Sequence, residues 1–417
     1  MLLGTAKECI TPPVGTWMDG YGFRIKPCES ISEDIYIRVH VHRFPERKIV
    51  YIYGDVASWG NEFVKESMAV LKKLYGLENQ ELFYIASHSH SGPVIGHESL
   101  LNVHIKENES YTAYVLSQIS KAVGEALEEQ IPVTMTRYNG SCAINVFRRI
   151  LEDGEIIMEP NYNVPADHHL TVLVMRDEEG EIRGIMVHYP CHANFSKGYD
   201  IQPDYPGIAL RMLDEAYPKS LSIFMQGCTG DLRPNSVCGD RFVPAPYDKV
   251  LTVAGRFVHL CQNAMETRGI PVSDGLSVST RTAELPLEGL KTKEELKAIA
   301  REGTEQEKMW ANRVLSEGNR PYTTLLMSLI RYGSGLSIYM INAEVVQDYA
   351  TYARTIDPDI ICTAYANGMI GYLPTAEEIV EGGYEPKESA PGFGLAGTFR
   401  MEADRIIRST MQELYKG

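Results

Sequence analysis

Hydrophobic and polar residues recur with two different periods along this chain, and the periods predict an ordered series of strands and helices. Strands are predicted where apolar residues alternate or form short runs between turn residues. Helices are predicted where apolar residues recur every three or four positions. The predicted strands are 34–44, 48–54, 82–86, 133–138, 169–176, 183–189, 220–226, 336–342 and 359–365. The predicted helices are 60–75, 108–129, 207–216, 248–267, 291–317 and 400–415.

The order of these elements predicts the fold class. Strands and helices alternate along most of the chain, which is typical of an α/β protein with a mixed β-sheet core flanked by helices. No internal repeat is detectable in the sequence. A chain of 417 residues could hold two or three average domains, but α/β enzymes of this size also fold as one unit. We predict a single domain over 1–417, with a charged helical insertion at 285–330.

The amino-acid composition limits the kinds of binding partner and the cellular compartment that we expect for this protein. The formal net charge of −15 argues against binding to nucleic acid or to an anionic membrane surface. No stretch approaches the roughly 20 apolar residues of a membrane span, and the first residues lack the pattern of a signal peptide. The eight cysteines are scattered without a C-x-x-C pair, as expected for reduced thiols. We therefore expect a soluble cytoplasmic protein that acts on a small molecule; the sequence does not indicate its oligomeric state.

Two histidines follow directly after one of the predicted buried strands. His88 and His90 come after the strand at 82–86, and Gly92-Pro93 ends the segment. Histidines at positions i and i+2 beyond a strand can direct both rings at one point. Imidazole is the commonest protein ligand for zinc, and α/β proteins bind ligands beyond the carboxyl ends of their strands. The pair is a candidate for metal binding, with two polar loop histidines as the ordinary alternative.

Three more candidate ligands follow other strands. His192 comes after the strand at 183–189, with His188 as an equal competitor. Glu344 follows the strand at 336–342, and Tyr372 lies in a turn rich in Gly and Pro. Taken singly, the glutamate could cap a helix and the tyrosine could be a packed aromatic. The interest of these residues lies in their combination with the histidine pair.

Six motifs together give the sequence a specific resemblance. They are Gly-Thr-Ala at 4–6 with Thr-Pro-Pro at 11–13, His-Ser-His-Ser-Gly-Pro at 88–93, Cys-His-Ala at 191–193 with Asp-Tyr-Pro-Gly at 204–207, Gln-Gly-Cys-Thr-Gly-Asp-Leu-Arg-Pro-Asn at 226–235, the glutamate at 344, and an Ala-Asn, Gly-Tyr and Tyr-Glu series between 366 and 385. In this order they resemble the neutral/alkaline ceramidase family, and the resemblance runs from about residue 4 to about residue 410.

The resemblance implies a zinc-dependent hydrolase and its site residues. The implied zinc ligands are His88, His192, Glu344 and Tyr372. The implied catalytic residues are His90, Arg148 and Tyr384, with Arg149 one step from Arg148. The implied chemistry is consistent, because a zinc-bound water is acidic enough to give a nucleophile near neutral pH. A histidine can then serve as general base, and a tyrosine or arginine can stabilise the developing oxyanion.

Departures from the family pattern bear on the substrate. Lipid-cleaving members carry a serine in Gly-Asp-x-Ser-Pro-Asn, where this chain has Arg233. A guanidinium prefers carboxylate, phosphate or polyol oxygens to an acyl chain. The C-terminal β-sandwich of the longer enzymes is also absent from the sequence. We therefore expect a small polar amide, ester or lactone rather than ceramide, with Arg233 and Asp231 as substrate-binding residues. Asp55 and Asp231 are also candidates either for orienting the histidines or for capping turns.

Other functions stay open at the level of sequence. A lyase, epimerase or isomerase acting on a sugar-like acid could use the same metal to stabilise an enolate. A closed four-ligand site would instead fit a zinc-containing binding protein without catalysis. Cys191 and Cys228 flank motif residues and could supply a thiol, although small buried cysteines are commoner. The sequence does not distinguish zinc from other divalent ions as the bound metal, because the affinities of such sites for these ions overlap.

Overall fold

The computed structural model describes residues 1–96 and 108–417 as a mixed α/β protein. Its strands are β1 (Leu2–Cys9), β2 (Ser30–Ile31), β3 (Tyr36–Arg43), β4 (Lys48–Gly54), β5 (Leu82–Ala86), β6 (Gln130–Pro132), β7 (Thr134–Ser141), β8 (Asn145–Glu152), β9 (Glu155–Asn161), β10 (His169–Arg176), β11 (Ile182–Tyr189), β12 (Asp200–Ile201), β13 (Leu221–Gln226), β14 (Leu232–Pro234), β15 (Val237–Cys238), β16 (Arg241–Phe242), β17 (Ile270–Val272), β18 (Leu276–Glu288), β19 (Tyr322–Tyr332), β20 (Leu336–Ile341), β21 (Glu344–Val345), β22 (Ile361–Thr363), β23 (Tyr372–Leu373) and β24 (Thr398–Phe399). Its helices are α1 (Asn61–Tyr75), α2 (Glu109–Glu128), α3 (Asp204–Ala216), α4 (Tyr247–Met265), α5 (Lys293–Glu302), α6 (Glu305–Glu317), α7 (Gln347–Ile356), α8 (Ala376–Glu381) and α9 (Glu402–Lys416).

Three five-stranded sheets in the described part of the chain have the same topology. Their orders are β5-β4-β3-β1-β6, β13-β11-β10-β7-β17 and β22-β20-β19-β18-β24. In each sheet the first two strands of this order are parallel and the remaining pairs are antiparallel. The fold therefore contains a structural repeat of three that is not detectable in the sequence.

Each parallel pair is joined by one helix, as a parallel connection requires. The three units are β4-α1-β5, β11-α3-β13 and β20-α7-β22. Backbone hydrogen bonds join the carboxyl ends of these units, from Ala86 N to Tyr365 O at 3.3 Å and from Ala364 N to Gln226 O at 3.0 Å. The loops that leave the three sheets consequently meet at one place in the molecule.

The central strands are buried on both faces, which explains their continuous apolar sequences. In β4, Val50 and Ile52 pack in one hydrophobic cluster, while Tyr51 and Tyr53 pack in a second cluster on the other face. Helices α1 and α2 cover the first sheet, α3 and α4 the second, and α7 and α9 the third. The burial of one sheet face against helices and the other against neighbouring strands fixes the strand ends in place.

The predicted elements are largely confirmed, and the differences have physical reasons. The strands at 48–54 and 82–86 have their predicted bounds. Helix α3 begins at Asp204 rather than 207, because Pro206 is tolerated in a first turn. The predicted helix at 291–317 is two helices, separated at Gly303.

The predicted insertion at 285–330 contains α5 and α6, which connect the antiparallel strands β18 and β19. Whether it behaves as a separate unit stays a prediction. All eight cysteines are free thiols, as expected. Among the described residues, no helix combines the length and apolar character needed to cross a bilayer.

Candidate metal centre

Three buried histidines converge at the meeting point of the sheets. His88 and His90 lie in the loop after β5, and His192 lies in the loop after β11. Their Nε2 atoms are separated by 3.0 Å (His88 to His192), 3.2 Å (His88 to His90) and 3.1 Å (His90 to His192). His88 adopts a left-handed conformation, φ 62°, which is uncommon for a residue other than glycine and typical of functional sites.

Two of the three rings are oriented by backbone carbonyls. His88 Nδ1 donates to Ala57 O at 2.7 Å, and His192 Nδ1 donates to Thr229 O at 3.2 Å. Because a carbonyl can only accept, each of these nitrogens carries the ring proton, and each Nε2 presents a lone pair. Two lone pairs that face each other at 3.0 Å repel unless a cation or a proton lies between them.

A zinc-sized cation fits this arrangement. Zinc binds imidazole nitrogen at about 2.1 Å with tetrahedral geometry, which places two ligand nitrogens about 3.4 Å apart. Glu344 adds a carboxylate, with Oε1 lying 3.3 Å from His88 Nε2 and 3.6 Å from His192 Nε2. That Oε1 atom is buried and has no hydrogen-bond partner among the described residues. An unpaired buried carboxylate oxygen beside two imidazole lone pairs is the donor set that a divalent cation would satisfy.

Glu344 and Tyr372 are brought together by a short parallel pairing. Glu344 in β21 is directly opposite Tyr372 in β23. Both residues line one pocket together with His88, His90 and Tyr384. Burial raises the pKa of the Tyr372 hydroxyl well above its usual value, and the nearby Arg148 guanidinium acts against this shift. The four predicted ligands therefore lie around the same small region.

Arg148 and Arg149 share Glu385 as a partner, but only Arg148 also contacts a candidate metal ligand. Arg148 donates to the Tyr372 hydroxyl at 3.1 Å and to Glu385 Oε1 at 2.8 Å. Arg149 is directed toward Glu385 and Glu381. The structure therefore places Arg148, rather than its neighbour, beside the candidate ligands. Of the two competing histidines, the structure places His192 in the cluster. His188 Nε2 instead forms a hydrogen bond with the carbonyl of Cys362, away from the cluster.

His90 differs from the other two histidines in its surroundings. Its Nδ1 atom is buried without a hydrogen-bond partner. Burial lowers the pKa of His90 well below its usual range, and the neighbouring His88 ring and three nearby arginines act in the same direction. Tyr21 contacts the His90 ring in an edge-on arrangement, with centroids 4.7 Å apart. His90 is therefore a neutral imidazole in the absence of a metal.

Sequence reasoning missed an aromatic residue that supports the cluster. Tyr365 stacks on the His88 ring with centroids 4.1 Å apart and an interplanar angle of 25°. Its hydroxyl hydrogen-bonds the Thr229 hydroxyl at 2.5 Å, and Thr229 also supplies the carbonyl that orients His192. Tyr365 has a positive φ of 55°. No spacing or motif distinguishes it in the sequence, since its position depends on contacts between distant segments.

The two aspartates predicted to orient histidines bond elsewhere. Asp55 accepts from Tyr36 N at 2.8 Å and from the Tyr53 hydroxyl at 2.6 Å. Asp231 Oδ1 accepts from Gln347 N at 2.7 Å, at the start of α7. Burial raises the pKa of Asp231 to about 7. Backbone carbonyls, not these carboxylates, hold the histidine rings, which favours the capping alternative; the substrate-binding role of Asp231 stays a prediction.

The two cysteines near the motifs lie in buried surroundings that favour a structural role over a chemical one. Cys191 and Cys228 are fully buried, and their thiols face backbone carbonyls at 3.6–4.0 Å. Burial raises the pKa of the Cys191 thiol well above its usual value, and for Cys228 the neighbouring Cys362 thiol contributes most to a shift in the same direction. A thiolate nucleophile is therefore disfavoured.

Fold and site together define a mixed α/β protein with a buried group of three histidines able to hold a metal ion. The neutral ceramidase from Pseudomonas aeruginosa has a similar structure, with a TM-score of 0.76 and 18% identity over 99% of this chain and 73% of that one. A ceramidase complexed with C2 has a TM-score of 0.77 and 16% identity over 99% of this chain and 74% of that one. No protein-family model and no curated protein matches the sequence. The chain has the neutral ceramidase fold, as the motifs predict.

Proposed function

We propose that this protein is a zinc-dependent hydrolase that cleaves an amide or ester bond of a small, polar molecule. The observation that carries the proposal is the convergence of the His88 and His192 lone pairs on the unpaired Oε1 atom of Glu344. The shared fold with structures described as ceramidases supports hydrolysis of an acyl bond as the reaction class.

The proposed zinc ligands are His88, His192, Glu344 and Tyr372. The orientation of the rings supports this set over one that includes His90. Metal-binding histidines almost always donate their second ring proton to an acceptor that fixes the ring. His88 and His192 do so, whereas the Nδ1 atom of His90 has no partner. His90 is better suited to the role of a general base, which gains and then loses a proton during the reaction.

The remaining site residues have roles that follow from their contacts. A bound zinc ion would supply an electrophile for the substrate carbonyl and lower the pKa of a water toward about 7. His90, neutral because of burial, accepts a proton at Nε2 and returns it to the leaving group. Arg148 holds the Tyr372 hydroxyl and, with the Tyr384 hydroxyl, faces charge that develops on the substrate oxygen.

A substrate screen with two readouts tests the proposal. The zinc-loaded protein is incubated with a panel of small amides, esters and lactones and with a short-chain ceramide, in water enriched in heavy oxygen. We expect at least one small polar substrate to give an acid that carries solvent oxygen, and chelation to stop the reaction. Conversion without gain of water would favour a lyase or isomerase. No conversion of any panel member by zinc-loaded protein would contradict the proposal.

A further inference from the structure

Arg233 is a half-buried cation that has no acidic partner among residues 1–96 and 108–417. Its guanidinium makes one weak hydrogen bond, to Met158 Sδ at 3.9 Å, and lies over the Phe242 ring with Cζ 4.5 Å from the centroid. Its Nε atom is buried and has no hydrogen-bond partner in the described part of the chain. A guanidinium offers five N–H donors, so most of its hydrogen-bonding capacity is unused. Burying such a group is unfavourable unless an acceptor compensates for the lost water.

Two other arginines near the cluster, Arg148 and Arg24, have acceptors within the protein. Arg148 is paired with Glu385 at 2.8 Å. Arg24 donates to the carbonyls of His90 at 2.7 Å and Gly198 at 2.9 Å. Acceptors for guanidinium groups are therefore available in this region, and the lack of strong acceptors is particular to Arg233.

Glu159, whose charge acts on Arg233, is already bonded to other donors. Its two carboxylate oxygens accept from Arg241 at 3.0 Å and from the backbone N–H of Phe242 at 3.0 Å. Burial lowers the pKa of Arg233, although a guanidinium remains charged at neutral pH. The contact with the Phe242 ring compensates for the lost water only in part.

The sheet register places Arg233 on the strand beside the one that carries Arg148. In the pairing of β14 with β8, Arg233 is opposite Val146. Arg148, two residues further along β8, donates its backbone N–H to Asp231 O at 2.9 Å and its guanidinium to the Tyr372 hydroxyl. The charge of Arg233 also contributes to the lowered pKa of His90. An anion bound by Arg233 would therefore lie on the side of the cluster that Arg148 borders.

We infer that Arg233 is a specificity-determining residue that binds a carboxylate on the substrate, so that the preferred substrate is an acyl compound with a second, anionic carboxylate group. The hydrolytic part of this inference rests on the proposed function. A planar guanidinium fork matches a carboxylate with two parallel hydrogen bonds. The net charge of −15 would repel an anion, so its selection requires a local cation of this kind.

A binding experiment tests the inference without relying on catalysis. Succinate and butyrate are titrated into the full-length protein as purified and into Arg233→Ser and Arg233→Lys. Both acids offer one carboxylate to a metal, but only succinate has a second carboxylate. We expect wild type to bind succinate about ten-fold or more tightly than butyrate. Arg233→Ser should lose this preference, and Arg233→Lys should keep part of it.

Thermal unfolding separates specificity from a structural role. Arg233→Ser should unfold at the same temperature as wild type or higher, because the substitution removes an unpaired half-buried charge. Equal succinate preference in wild type and Arg233→Ser, or no preference in wild type, would overturn the inference.

A kinetic comparison separates this inference from the proposed function. Hydrolysis of succinyl and butyryl para-nitroanilide is measured with the zinc-loaded protein, and kcat/KM for the succinyl compound should be about ten-fold or more higher. Hydrolysis of both compounds at equal rates would support the hydrolase and overturn the inference. Preferential succinate binding without hydrolysis of either compound would support the anion site and count against the hydrolase.

Discussion

Tyr384 has a hydroxyl that makes no hydrogen bond within the described part of the chain, although its ring packs against Tyr372 with centroids 5.5 Å apart. A polar group that does not stabilise the fold is free to contact a substrate. Arg148 lies 5.9 Å from the Tyr384 ring centroid, so the hydroxyl and the guanidinium border the same space. The residue therefore offers a test of catalysis that is separable from stability.

We predict that Tyr384→Phe lowers kcat by about 100-fold, the usual effect of removing one oxyanion-stabilising donor. The free energy of unfolding should change by less than about 0.5 kcal/mol, because no hydrogen bond within the protein is lost. Steady-state kinetics and urea unfolding measure the two effects. Tyr138→Phe is the matched control, since this half-buried tyrosine in β7 also lacks a hydroxyl partner among the described residues. Unchanged kcat in Tyr384→Phe would contradict the assignment.

At the scale of elements, the loop between β1 and β3 fixes the position of His90. Gly20 has φ +89°, and a Cβ atom there would lie 2.6 Å from His90 Cγ and 2.8 Å from its Cα. Gly15, in the same loop, has φ +97° and has open space around the Cβ position. Both glycines permit a left-handed backbone, but only Gly20 is required by close contact with the site.

We predict that Gly20→Ala abolishes most activity, whereas Gly15→Ala retains it. Both substitutions introduce backbone strain of about 1 kcal/mol. Only the first also displaces His90. Parallel measurement of kcat/KM and thermal stability distinguishes the two contributions. Equal loss of activity in both variants would show that strain, not contact with His90, is responsible.

The sequence predicted elements well where burial made their pattern clear, and poorly elsewhere. The strands at 48–54 and 82–86 are buried throughout, so their apolar runs define them. Strand β18 was missed because most of its residues are exposed or half-buried and its sequence is rich in Ser, Thr and Arg. The hairpin of β8 and β9, which carries Arg148, was also missed, because two buried arginines interrupt its apolar alternation.

The candidate site was predictable to the extent that it follows strand ends. His88, His192 and Glu344 come directly after buried strands, so their common location follows from the sheet topology. Tyr365 and the carbonyl of Ala57 were not predictable, because they reach the cluster through contacts between segments distant in sequence. The lack of an acidic partner for Arg233 was not predictable either, because it depends on the pairing of Glu159 with Arg241.

At the scale of the whole molecule, the site depends on the joining of three similar sheets. Gln226, at the end of β13, donates through Nε2 to Ser87 O at 2.9 Å and to Cys191 O at 3.0 Å. These carbonyls immediately precede His88 and His192 in the chain. One buried amide in the second sheet therefore fixes the loops that carry His88 and His192 relative to each other.

We predict that Gln226→Leu lowers the free energy of unfolding by about 2–4 kcal/mol, because two buried carbonyls lose their donor. Zinc affinity should fall by about 10- to 100-fold. The matched control is Gln130→Leu, whose side chain also donates to two carbonyls, those of Ala126 and Leu127, but at the end of α2. Urea unfolding and competitive zinc titration measure both effects. Zinc affinity that is unchanged in Gln226→Leu would contradict a role in joining the loops.

The metal content of the purified protein tests the central claim most directly. Mass spectrometry is applied to protein prepared without chelator, for wild type, His192→Ala and His188→Ala. His188 is the matched control, because it is a buried histidine near the end of β11, the strand that precedes His192. Its ring forms a hydrogen bond with Cys362 O, outside the cluster. We predict about one zinc per chain in wild type and His188→Ala, and none in His192→Ala. Metal-free wild type, or zinc retained by His192→Ala, would contradict the proposed centre.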